Sequence, residues 1–141
     1  MSIPAISKAR RTLNRAFAEL KRASAGDIEA RRQVAEKAWR AAREAVYGVM
    51  EAYGEERPRG TIGVGEVGDF EAKRLKRPRG RPGGQPLASD YVRAEAGLHG
   101  RCFYDGVCPP DDTLRGELEQ VGGLIEQADT DTRAIGRRPR R

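Results

Sequence analysis

The stretch RAEAGLHGRCFYDG, residues 93–106, holds the only histidine of the chain, six positions after an arginine. Histidine titrates near neutral pH and so is a natural proton carrier, while arginine suits bidentate contacts to phosphate or carboxylate. On an α-helix Arg93 and His99 lie about 120° apart around the axis and about 9 Å apart along it. A single helix does not bring both to one phosphate, whereas two copies related by a two-fold axis can. Glu95, at i,i+4 to His99, is placed to orient the imidazole. A reading without catalysis is also open: a bond to Glu95 or to a backbone carbonyl satisfies a half-buried histidine, and Arg93 pairs with a carboxylate on a neighbouring helix. Phe103 and Tyr104 read as core plus a polar handle, with base stacking as the alternative.

Other groupings offer less chemistry. Two cysteines, Cys102 and Cys108, and one histidine are too few for a zinc site. Cys102 reads as a small buried hydrophobe with both thiols reduced, and a Cys102–Cys108 bridge is expected only in a hyperthermophile. Asp105, Asp111 and Asp112 are explained by helix capping, so no metal and no cofactor are expected. The run GVGEVG, with Gly63, Gly65 and Gly68, formally matches a dinucleotide fingerprint, but that motif has meaning only between a buried strand and a helix. It follows no such strand and reads as a flexible connector.

The charge is strongly segregated. The net charge is +6, yet KRLKRPRGR (73–81) carries six basic residues and no acid, and RAIGRRPRR (133–141) carries five and no acid. The remaining body is therefore mildly acidic. Lys73, Arg74, Lys76, Arg77, Arg79 and Arg81 in the loop, with Arg137, Arg138, Arg140 and Arg141 in the tail, are the expected phosphate contacts, non-specific and salt-dependent. A solvated loop and tail account for the same residues without a ligand.

Helical periodicity supplies the elements that must position these groups. PAISKARRTLNRAFAELKRASA places Ile6, Ala9, Leu13, Ala16, Phe17 and Leu20 on one face behind Pro4. Asp27 caps a longer helix over about 27–55, in which Ala38, Ala42, Ala45, Val49 and Ala52 run beside a bulkier stripe of Ala35, Trp39, Val46, Met50 and Tyr53. A helix apolar over so wide an arc needs several neighbours. Its outer face, with Glu36–Arg40 and Arg40–Glu44 at i,i+4, reads as solvated. Residues 56–86 read as a long, partly mobile Gly/Pro-rich connection with a short helix near 68–76. A third main helix starts at Ser89 or Asp90 and ends at Gly106. After Pro109 and Pro110 a fourth spans about 111–129, with Leu114, Leu118, Val121, Ile125 and Ala128 in one stripe. The expected fold is all-α, an up-and-down bundle of four main helices forming one domain over 1–132 with a basic tail at 133–141.

The spacing Arg93-x5-His99 resembles the R-x4-6-H motif of the HEPN superfamily (higher eukaryotes and prokaryotes nucleotide-binding). AEKAWRAAREAV (35–46) and AEAGLHGRCFYDG (94–106) resemble two blocks of the archaeal paREP repeat-family proteins, which group with HEPN. The resemblance covers roughly residues 28–128. It implies a dimeric helical bundle in which Arg93 and His99 meet across the dimer to cut RNA without a metal, Arg93 stabilising the phosphorane charge and His99 transferring a proton. Many members of the superfamily have no catalytic role. The expectation is thus an RNA- or nucleotide-binding helical protein, a homodimer or higher homo-oligomer, with metal-independent RNase activity centred on Arg93 and His99. The competing expectation is a non-catalytic homo-oligomeric scaffold. No run is apolar enough to span a membrane and the N-terminus lacks a signal-peptide core, so a cytoplasmic protein without membrane contact is expected.

Overall fold

The computed structural model describes residues 3–24, 26–56 and 60–135. Five α-helices and one π-helix follow one another: α1 (Pro4–Arg22), α2 (Ile28–Ala52), α3 (Val64–Lys73), α4 (Pro86–Ala94), the π-helix (Glu95–Tyr104) and α5 (Asp111–Ile135). Among the described residues there is no strand. No helix of the described residues is long and apolar enough to cross a membrane.

The apolar stripe of α1 is buried as the periodicity requires, through Ile6, Ala9, Leu13, Ala16 and Leu20, while Phe17 is only partly buried. Asp27 caps α2 by accepting a hydrogen bond from the Ala30 N–H at 3.0 Å. Both apolar stripes of α2 are covered, and it packs against α1, α4, the π-helix and α5. Gly48 lets the start of α1 come close: a Cβ at that position would lie 2.7 Å from Ala5 Cβ. One apolar cluster draws side chains from all six helices.

Several elements differ from the sequence reading. GVGEVG is not a connector: Gly63 is the extended N-cap of α3, and Gly65 and Gly68 lie inside that helix. The short helix consequently sits at 64–73 rather than 68–76. It is held because Val67 and Phe70 enter the core, Phe70 meeting Tyr53 edge-on at 5.6 Å. Two tyrosines pin the segment before it. Tyr47 Oη donates to Gly60 O at 2.6 Å, and Tyr91 Oη donates to Ile62 O at 2.7 Å. The last helix runs to Ile135, beyond the expected end at 129, because Asp131 and Ile135 have inward partners.

The third main helix also begins earlier, at Pro86, and its second half is π-helical. Over Glu95–Tyr104 the Asp105 N–H reaches Gly100 O at 3.0 Å, an i→i−5 bond. Gly97 and Gly100 weaken the preference for α geometry there. A π-helix of this length is rare, and π segments concentrate at functional sites. At its end Cys102 and Cys108 form a disulfide, in place of the expected pair of free thiols. The bridge is formed because Cys102 is fully buried at the helix end, while the turn through Gly106, with φ +70°, folds Cys108 back onto it.

Candidate functional site

The π-helix aims His99 at α2. Its Nδ1 lies 3.0 Å from Glu36 Oε2, and the ring stacks on fully buried Trp39 at 5.3 Å between centroids. Phe103 lies parallel to it at 6.1 Å and Tyr104 meets it edge-on at 4.9 Å. The orienting carboxylate is therefore Glu36 and not Glu95. The expectation for Glu95 relied on the i,i+4 neighbourhood of an α-helix, and the π geometry removes it.

Around this ring, α2 presents Arg32, Glu36 and Arg40 at i, i+4 and i+8. Arg32 Nε donates to Phe103 O at 2.7 Å and its guanidinium lies 5.8 Å from the Phe103 centroid, a cation–π distance. Arg40 Nε is 3.7 Å from Glu36 Oε1 and its side chain is 62% exposed. Tyr104 is 66% exposed. Buried Glu36, half-buried His99 and the exposed Tyr104 and Arg40 thus run from core to surface. This arrangement holds an imidazole in one tautomer: with Nδ1–H donated to Glu36, Nε2 is left to accept a proton.

Arg93 is exposed and sits elsewhere. It lines a cavity against α5 together with Asp90 and Glu117, so a single chain does not bring Arg93 and His99 to one phosphate. Burial raises the Asp90 and Glu117 carboxyls above their ordinary values, and the Arg93 charge opposes the rise at both, with Arg101 opposing it at Glu117.

The basic loop divides into bound and free residues. Arg77 is held by buried Glu71, Nε to Oε2 at 2.9 Å, and by Asp131 through two bonds of 2.9 Å. Glu71, fully buried, also accepts from the Ala88 N–H at 2.5 Å. Arg77 is thus a tie between α3, α4 and α5 rather than a surface cation. Arg79 donates to Asp69 at 2.6 Å and to Gly65 O at 3.0 Å, and Arg74 donates to Tyr53 O. Lys73, Lys76 and Arg81 are exposed and make no ion pair among the described residues. Arg137, Arg138, Arg140 and Arg141 lie outside the described residues.

Glu36, Arg32 and Glu117 escaped the sequence reading. Glu36 looked like one half of a solvated i,i+4 pair; its signal was its place one turn before Trp39 on the border of the bulky stripe. No family model, no curated protein and no solved structure matches this chain.

Proposed function

We propose that this chain is a HEPN-like helical protein that binds RNA or a nucleotide at the shelf formed by His99, Phe103 and Tyr104, with metal-independent RNA cleavage through His99. The observation carrying this reading is a carboxylate-held imidazole beside an exposed aromatic ring and the exposed cation Arg40. An exposed ring offers a base a stacking partner, and Arg40, on the other oxygen of the carboxylate that holds His99, offers a phosphate a bidentate contact. His99 Nε2 then exchanges a proton with the ribose 2′-hydroxyl or the leaving oxygen, while Glu36 holds the ring. Lys73, Lys76 and Arg81 add non-specific attraction. The four-helix bundle of that superfamily and its homodimer belong to the same proposal.

The test is cleavage of labelled single-stranded RNA and tRNA in EDTA, with His99→Ala, Tyr104→Ala and Arg40→Ala variants shown to be folded. Cleavage lost with His99→Ala and binding weakened by the other two is the expected result. A non-catalytic oligomeric scaffold is the second reading, favoured by the satisfaction of His99 by Glu36 and Trp39. Under it no RNA is bound or cut, and His99→Ala changes stability or oligomeric state alone.

A further inference from the structure

The cavity of about 180 Å3 between α4 with the start of the π-helix and α5 has an apolar floor of buried Ala94, Leu98 and Val121. Its polar rim is Asp90, Arg93, Glu117 and Gln120. None of the four side chains makes a hydrogen bond or ion pair among the described residues, and Glu117 and Arg93 carry opposite charges. The Glu117 carboxylate accepts no hydrogen bond from the described residues, and its Oε2 is shut off from solvent. Gly97 makes room for it: a Cβ there would lie 3.1 Å from Glu117 Oε1. Arg93 likewise makes no hydrogen bond, and no carboxylate of the described residues lies within 4.0 Å of it. An acceptor and a donor fork thus border one base-sized space without meeting.

Charge narrows the occupant. A phosphate entering beside Arg93 would meet the carboxyls of Asp90 and Glu117, and a cation entering beside Glu117 would meet Arg93 and Arg101. A neutral group that accepts on one edge and donates on the next satisfies both. Guanine has this pattern: O6 and N7 accept, and N1–H and N2–H2 donate. Adenine, cytosine and uracil also set an acceptor beside a donor, but guanine alone of the four offers two adjacent acceptors to the arginine fork and two adjacent donors to the carboxylate. Bases of single-stranded RNA are splayed out and read on these edges.

We infer that this cavity is a guanine pocket, in which Arg93 donates to O6 and N7 and Glu117, its carboxylate turned into the cavity, accepts from N1–H and N2–H. The inference rests on the RNA or nucleotide reading above and assigns its base preference to a place distinct from the His99 shelf.

The experiment is equilibrium binding of the full chain to short oligouridines carrying one central guanosine, adenosine or uridine, with GMP and AMP as competitors. Guanosine is expected to strengthen binding about tenfold over adenosine. That preference should vanish in Arg93→Ala and Glu117→Gln, while affinity for the all-uridine strand stays within about twofold for Glu117→Gln. GMP outcompeting AMP would extend the pocket to free nucleotides; equal competition would confine it to RNA. Because the variants disturb a half-buried site, amide-shift mapping of the unaltered protein provides a second reading. Shifts specific to the guanosine strand should fall at residues 90–98 and 117–121. Binding of all strands without base preference, or guanosine-specific shifts at 99–104 instead, overturns the pocket and leaves the RNA reading standing. No binding of any strand overturns both.

Discussion

Trp39 is fully buried between Tyr91, at 4.9 Å, and His99, yet its Nε1–H has no partner among the described residues. A buried donor left unpaired costs about 1–3 kcal/mol, and the lost indole volume costs a similar amount when phenylalanine replaces it. Trp39→Phe should therefore change the unfolding free energy by less than about 1 kcal/mol, whereas Trp39→Ala should cost about 3–5 kcal/mol. Urea unfolding of both variants checks this, and a large loss for Trp39→Phe would mean that the indole N–H has a partner. Asp90 and Glu117 make a second prediction. Burial places their folded-state pKa values above the unfolded values of about 3.8 and 4.5, so the folded chain holds these protons more tightly. Their contribution to stability is complete below those unfolded values and is lost as pH rises through the folded ones. A pH series of melting temperatures should show that decline flattened in the Asp90→Asn, Glu117→Gln double variant, with Arg93→Ala steepening it by removing the opposing charge.

At the scale of elements, the ties between helices differ greatly in what their loss costs. Arg77→Ala leaves fully buried Glu71 and nearly buried Asp131 without their cation, and about 3–5 kcal/mol of destabilisation is expected. Arg79→Ala breaks the exposed pair with Asp69, both side chains more than half exposed, and should cost at most about 1 kcal/mol. Chemical denaturation of the two variants gives the comparison, and equal losses would refute the assignment of Arg77 as an internal tie. Gly48→Ala tests the α1–α2 approach. Helix propensity favours alanine by about 1 kcal/mol, but the new Cβ would meet Ala5 Cβ at 2.7 Å, and overpacking typically costs about 1–3 kcal/mol. A net loss of about 1 kcal/mol is expected by the same assay; a gain would show that α1 shifts freely.

For the whole molecule, charge and fold act on different partners. The mildly acidic body takes up Arg77 and Arg79 of the basic loop and pairs its own Arg10 with Glu126 and Asp129, whereas Lys73, Lys76 and Arg81 make no ion pair among the described residues. RNA affinity should accordingly fall steeply with salt. Deleting 137–141 should reduce the slope by up to about four, one for each arginine in contact, while Arg77→Ala should leave the slope unchanged. Binding isotherms over a salt series measure both.

Helix content was legible from the chain because periodicity and capping act over a few residues. The stripes of α1 and α5, the Asp27 cap and the stop at Pro109–Pro110 all follow from neighbours in sequence. By itself the sequence also determined that the excess of positive charge sits in the 73–81 and 133–141 segments and that His99 is the single imidazole available. Only the tertiary structure decided which carboxylate holds that imidazole. Glu95 and Glu36 are 4 and 63 positions from it, and the choice turns on a π-helix that rotates His99 toward Trp39. The same lateral packing drew Arg77 into the interior against Asp131, 54 positions away, and turned Arg93 toward Glu117 on α5. For Glu36 and Arg77 the physical reason is common: the energy of burying a charge depends on what another helix places opposite it, and spacing along one helix carries no information about that.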